Sequence, residues 1–172
     1  MPNRDTFQMP IVADLLKHER VGFDRWIDPF ARNSTFANER NDLDKSTTAN
    51  FHEDASEFLL RWKHEEFDGV VFDPPYSFGQ AKECYAGNGK EHLIGTVTNN
   101  RYWSKLKDGL ALLTMMNGKA ICFGWNSNGL GRKRGFTLDR VVLIAHGSGI
   151  NDTIITVETK IHKPNAELFT ND

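Results

Sequence analysis

Two cysteines in 172 residues, Cys84 and Cys122, are too few and too far apart for a disulfide framework or a structural zinc site. They read as reduced thiols of a cytoplasmic protein, with Cys122 in the core of a strand. No apolar run approaches the ~18 residues that span a bilayer. The opening Met1-Pro-Asn-Arg-Asp5 lacks the apolar centre of a secretory signal, so neither a membrane nor an export route is expected. The six histidines show no metal-ligand spacing, and no metal is assigned. Basic charge is also missing: the net charge is −2 and the pI about 6.3. A free-standing nucleic-acid binder usually carries a basic stripe or a pI above ~9. Any nucleic-acid contact must therefore be local, weak or helped by a partner. Repeats and low-complexity segments are absent.

What the chain does contain is the material for one core. Its 172 residues, 39% hydrophobic and 26% charged, suit a single soluble domain over residues 1–172. The organising stretch is Phe67-Asp-Gly-Val-Val-Phe-Asp-Pro-Pro-Tyr76. Val70-Val71-Phe72 is the short apolar run of a buried parallel strand. Two consecutive prolines cannot donate to a ladder, so the strand stops and the chain turns outward. Asp73 and Tyr76 then fall at the carboxyl end of a buried strand, where open α/β sheets place their ligands. An acceptor, a rigid turn and a flat ring suit a planar amine such as a nucleobase.

In chain order, residues 1–9 read as a flexible arm anchored by Phe7 and Met9, and residues 10–20 as a helix opened by Pro10. A first strand is expected over 23–30 and the end of a second over 41–44. A polar connection over 46–51 has room for a brief third. Asp54 with Glu57 resembles a capping box, opening a helix to about residue 66. Residues 77–97 are polar and carry four glycines, an excursion of the kind reserved for function. With the residues up to 101, it is a candidate for substrate contact. The spacing predicts a helix over 102–116 ended by Asn117-Gly118, a strand over 119–125, and a Gly-rich basic loop over 126–135 with room for one helical turn. Strands over 138–145 and 153–158 form a closing hairpin. Strands alternating with helices give an α/β fold, a mostly parallel sheet with an antiparallel edge strand and helices on both faces.

Three motifs carry a resemblance. Asp73-Pro74-Pro75-Tyr76 resembles the catalytic motif of the S-adenosylmethionine-dependent amino-methyltransferases that modify adenine N6 or cytosine N4. Asp28-Pro29-Phe30-Ala31-Arg32-Asn33-Ser34-Thr35 resembles their methyl-donor motif, usually Asp-Pro-Phe-Ala-Gly-Ser-Gly-Thr. Asn41-Asp42-Leu43-Asp44 places an acid where such folds hold ribose hydroxyls, with Asp42 ahead of Asp44. His52 to Phe58 resembles the motif whose acid or neighbouring amide, here Asp54 and Ala55, reads the cofactor's adenine; an ordinary helix cap explains Asp54 equally well. The resemblance covers about residues 5–160 and implies the class I methyltransferase-like (Rossmann-like) fold. Asp73 lies 45 positions after Asp28, room for two strand–helix units and no target-recognition domain.

The departure is at the donor loop, where Arg32 and Ser34 replace glycines that let the backbone approach the cofactor. Either the loop takes another path, with Arg32 or Asn33 meeting the cofactor's carboxylate, or the site is lost; the intact motifs beside it favour the first. The resemblance implies methyl transfer from S-adenosyl-L-methionine to adenine N6 in duplex DNA with the base flipped out. Asp73 and the Pro74 carbonyl would orient the amine and Tyr76 would stack the base, as in the small orphan enzymes carried by phages and prophages. Lys82 is a candidate for substrate contact, Arg132, Lys133 and Arg134 read equally as a phosphate clamp or a solvated loop, and a homodimer is expected to grip a duplex. Cytosine N4 or RNA remains open as the acceptor. So does an inactive relative that binds nucleic acid or a protein. Trp125 reads as core packing near the pocket.

Overall fold

The computed structural model describes residue 7 and residues 9–147 and 151–163. Six strands form one sheet in the order β2-β1-β3-β4-β6-β5. They are β1 (Trp26–Asp28), β2 (Glu39–Arg40), β3 (Phe67–Phe72), β4 (Thr114–Gly124), β5 (Phe136–Ile144) and β6 (Thr153–Lys160). β1 to β4 pair in parallel, and β6 runs antiparallel to both β4 and β5, so antiparallel pairing is confined to one edge. The expected third strand is reduced to a single parallel bridge from Asn41 to Phe51.

Alternation along the strands builds two cores. On one face α1 (Pro10–Glu19) buries Val12, Leu15 and Leu16 against Trp26, Val71, Ile121, Phe123, Ile155 and Val157. Phe7 and Met9 pack on the same core, Phe7 with its ring 4.9 Å from that of Phe123; the rest of the expected arm lies outside the described residues. The other face carries α2 (Ala55–Arg61), α3 (Phe78–Gly87), α4 (Ile94–Val97) and α5 (Asn100–Leu113) over Ile27, Val70, Phe72, Ala120 and Cys122. None of the described helices is long and apolar enough to cross a membrane.

Several boundaries differ from the sequence reading. The stretch 77–101 is not an irregular excursion but α3, a 3₁₀ turn (Glu91–Leu93) and α4. Ser77 caps α3 by accepting from the Gln80 N–H, and Ala81 and Tyr85 supply the buried face that holds it. β1 has three residues instead of eight. α2 ends at Arg61 because Trp62 leaves helical geometry and sets its ring edge-on to Phe67, 5.7 Å between centroids. α5 stops at Leu113, short of Asn117-Gly118. The buried Lys160 ammonium lies 2.7 Å from the Ala111 carbonyl and also bonds that of Thr114, meeting the orphan acceptors and negative dipole of the helix end. Asn117, at φ 64°, sits inside β4 in a bulge that lets Phe67 pair with Thr114 and Gly69 with Lys119.

The closest packing in the sheet lies beneath the site. Gly69 pairs with Trp26, and a Cβ at Gly69 would lie 2.4 Å from the Trp26 ring. Trp26 cannot move aside, being fully buried with its indole N–H donating to the Phe23 carbonyl at 3.0 Å. Gly69→Ala is therefore expected to cost about 1–3 kcal/mol, as overpacked cores do. Chemical denaturation reads this directly, and an unshifted midpoint would contradict the close approach.

Candidate active site

β1 exchanges partners with β2 on one side and β3 on the other, so the chain reverses direction across the sheet at β1/β3. That is the switch point where open sheets bind ligands. Asp28 ends β1 and Asp73 follows β3, which puts two carboxylates at the carboxyl ends of adjacent strands. Asp28 is fully buried; its Oδ1 accepts from the Phe30 N–H at 2.9 Å. Its Oδ2 is buried without a hydrogen-bond partner among the described residues. A buried polar atom left unmatched is costly, so such an atom points to a ligand group that would complete it.

The sequence left open whether the donor loop survives the loss of glycine. Arg32, at the first glycine position, has φ 49°, the left-handed region that glycine favours. The turn is kept even though an arginine makes it. The Arg32 N–H donates to Asp42 Oδ2 at 3.1 Å, and its guanidinium stands near enough to Asp42, Asp44 and Asp73 to favour their charged forms. The next two residues serve the loop itself. Asn33 Oδ1 accepts from the Thr48 N–H at 3.0 Å, and Ser34 Oγ accepts from the Phe36 N–H at 3.3 Å.

A small, partly open cleft lies beside this loop, lined by Pro29, Phe30, Asp42, Leu43, Ala55 and Pro75 among others. Asp42 Oδ1 accepts from the Asp44 N–H at 2.9 Å, so each carboxylate oxygen of Asp42 carries one backbone bond and keeps acceptor capacity. Asn41, to which the sequence analysis gave no role, fixes the floor. Its amide donates to the carbonyls of Pro29 and Glu53 and accepts from the Glu53 N–H, at 3.2, 3.0 and 3.1 Å. Only its place one residue before Asp42 hinted at this.

Asp54 answers the choice between helix cap and adenine reader. Its carboxylate accepts from Ser56 N–H at 2.9 Å, from the Tyr85 hydroxyl at 2.7 Å and from the Tyr102 hydroxyl at 3.0 Å. A carboxylate so engaged has little left for a ligand. Ala55, which lines the cleft as the first residue of α2, keeps an N–H with no intrahelical acceptor. Tyr85 and Tyr102 bring α3 and α5 onto the same anion. Neither hydroxyl was tied to Asp54 by any signal in the sequence.

At the Asp-Pro-Pro-Tyr turn the Tyr76 hydroxyl donates to Asp73 Oδ1 at 2.7 Å, and its N–H donates to Gln80 Oε1 at 2.8 Å. The Tyr76 ring meets Trp125 edge-on, 5.6 Å between centroids and 72° between planes. Trp125 is 39% exposed, so it is not the core residue the sequence suggested. The basic candidates divide. Lys82 is exposed on α3, the helix that leaves the turn. Arg134 is held inside the protein by Asp108 at 2.6 Å and by Ser104 and Leu130, which removes it from phosphate contact. Arg132 and Lys133 are exposed, but the chain beyond Trp125 runs back along the sheet. Phe136 pairs with Lys160, level with the start of the β4–β6 ladder. This cluster therefore lies toward the end of the sheet opposite Asp73.

The electrostatics agree with the geometry. Burial raises Asp28 well above the usual carboxylate range, the like charges of Asp73 and Asp42 add to it, and the Phe30 N–H opposes. Burial raises Asp42 as well. Burial pushes Asp73 up to about 6, against the Tyr76 hydroxyl and Arg32. Three acids crowded beyond the carboxyl ends of three adjacent strands favour a cationic ligand.

The comparisons with known proteins give the class of fold. No protein-family model and no curated protein matches the sequence. Solved structures do match. TrmN from Thermus thermophilus superposes with a TM-score of 0.55 at 16% identity, covering 88% of this chain and 49% of TrmN. N-methyltransferase NodS from Bradyrhizobium japonicum WM9 gives 0.55 at 10% identity, covering 92% and 99%. An rRNA methylase from Streptococcus thermophilus gives 0.50 at 12% identity, covering 94% and 99%. The chain thus spans about half of the first and nearly all of the other two. Its fold is the Rossmann-like fold of the class I methyltransferases.

The raised carboxylates carry a stability consequence. A group whose folded pKa exceeds its unfolded value stabilises fully below the unfolded value and loses that contribution as pH rises through the folded one. For Asp73 the window runs from 3.8 to about 6. Asn at position 28 or 73 cannot ionise, so Asp28→Asn and Asp73→Asn should gain melting temperature relative to the parent between pH 4 and pH 7. A pH-independent difference in thermal unfolding would contradict the assignment.

Proposed function

We propose that this protein transfers a methyl group from S-adenosyl-L-methionine to the N6 amino group of adenine in DNA. The observation that carries the reading is the pair of carboxylates at the β1/β3 switch point, buried Asp28 with an oxygen unmatched among the described residues and half-buried Asp73 on the Asp-Pro-Pro-Tyr turn. The donor set suits the cofactor. Asp28 offers an acceptor to its ammonium, Asp42 to its ribose hydroxyls, the Ala55 N–H a donor to its adenine and Arg32 a cation to its carboxylate. Pro29 and Phe30 form the adjoining wall, while Asn33 and Ser34 hold the loop's shape. When bound, S-adenosylmethionine supplies an electrophilic methyl on a sulfonium.

The chain's own work is on the acceptor. An exocyclic amine on adenine is a poor nucleophile because its lone pair is delocalised into the ring. Asp73 Oδ1, which takes the Tyr76 hydroxyl in this structure, and the Pro74 carbonyl would each accept one of its N–H groups. That localises the lone pair and places negative charge beside the nitrogen as it becomes cationic. Pro75 fixes the direction of the Pro74 carbonyl, and Tyr76 turns its ring to the base. With a pKa near 6, Asp73 is mostly ionised at neutral pH and can take the proton the nitrogen sheds.

A second reading, transfer to an amino group in RNA, is supported by the likeness to the Streptococcus rRNA methylase. Calorimetric titration with S-adenosylmethionine, then transfer of labelled methyl to duplex DNA, single-stranded DNA and RNA, tests both. We expect binding, label on adenine N6 in DNA, and a loss of about 100-fold or more in Asp73→Ala. No binding at millimolar cofactor would sink both readings; label confined to RNA would select the second.

A further inference from the structure

We propose that Trp125 and Tyr76 form a two-ring clamp on the acceptor base, and that the protein takes this base from an unpaired strand in preference to a duplex. The inference rests on the function proposed above and names the form of its substrate.

Three aromatic side chains surround the exit of β3: Tyr76 on the turn, Phe78 at the start of α3 and Trp125 directly after β4. Phe78 is 44% and Trp125 39% exposed, beside a residue that already bonds the catalytic carboxylate. Trp125 is presented, not stranded. Residues 125–128 are exposed, whereas the chain just beyond is pinned from below. Buried Glu158 accepts from the N–H groups of Leu130 at 2.6 Å and Gly131 at 2.9 Å, and Lys107 Nζ donates to the Gly129 carbonyl at 2.6 Å. Gly129 itself is required there, since a Cβ would lie 2.2 Å from the Glu158 carboxylate. A rigid anchor thus holds an exposed indole over the catalytic turn. The present edge-on contact opens a slot between the rings when Tyr76 releases Asp73.

Charge decides the strand form. Flipping a base out of a duplex costs free energy that duplex enzymes recover mainly through phosphate contacts. Here the net charge is −2. Arg134 is spent on Asp108, and Arg132 and Lys133 lie toward the other end of the sheet. Of the candidates for substrate or phosphate contact drawn from the sequence, Lys82 alone lies on the helix that leaves the turn, and the nearby Arg32 stands among Asp42, Asp44 and Asp73. Stacking needs no phosphate and raises affinity about tenfold to a hundredfold per ring. An unpaired base offers the stacking without the flipping.

The test uses the full chain with a 12-nucleotide adenine-containing oligodeoxynucleotide, single-stranded and annealed to its complement. We expect the KM for the single strand to be at least tenfold below that for the duplex. Trp125→Ala should raise the single-strand KM about tenfold with kcat and S-adenosylmethionine affinity unchanged, and Trp125→Phe should recover most of the loss. A duplex preference, an unaltered KM in Trp125→Ala, or loss of cofactor binding in that variant overturns the clamp. If the wild type binds no cofactor, the function reading fails separately. The clamp is then judged by oligonucleotide quenching of tryptophan fluorescence: loss of the quenching in Trp125→Phe supports it, and its persistence there overturns it.

Discussion

Two carboxylates that folding draws away from water set the character of this molecule. Asp28 and Asp73 stand at the ends of adjacent parallel strands because β1 and β3 pair in register through Trp26–Gly69 and Ile27–Val70. The sheet has no choice about their proximity once that register is made, and the register depends on a glycine that accepts the Trp26 ring against its backbone. The resulting cost is repulsion and desolvation. The natural relief is a cationic ligand, which is the ground on which a sulfonium cofactor is proposed for the site. Among the described residues no cluster of His, Cys, Asp or Glu has metal-binding geometry.

Around this pair the loops divide between holding shape and touching ligand. Asn41 ties three strand-end segments together, and Asp54 gathers Tyr85 and Tyr102 from two helices onto one anion. Asp54 resembles a ligand-reading residue in sequence, and both side chains act as internal fasteners. The division explains how a donor loop without glycines keeps its form. Arg32 is forced into a left-handed conformation by the Asp42 bond and the Ala31–Ser34 turn around it. In return it carries a guanidinium in among Asp42, Asp44 and Asp73, where a glycine would have carried nothing.

The parts legible in the sequence were those set by local chemistry. An apolar triplet closed by two prolines could end only as β3 and its turn, and the hairpin of β5 and β6 followed from two alternating runs. The alternation of helices and strands was enough for the fold class. What the sequence hid depended on partners distant in the chain. α5 ends where it does because Lys160 comes back across the sheet to cap it. The fate of Asp54 was set by hydroxyls 31 and 48 residues away. The basic triplet looked like a phosphate clamp until the chain's return along the sheet and the Arg134–Asp108 pair placed it elsewhere.

The central claim is that the carboxylates gathered at the β1/β3 switch point favour a cationic methyl donor, Asp28 by direct contact and Asp73 by its charge nearby. Its most direct test is the pH dependence of S-adenosylmethionine affinity, measured by calorimetry between pH 7 and pH 5 in the wild type and in Asp73→Asn. With Asp73 titrating near 6, protonation should weaken wild-type binding about tenfold across that range, and the variant should show a flatter profile. Binding that is indifferent to pH in the wild type, or equally steep in the variant, would contradict the account.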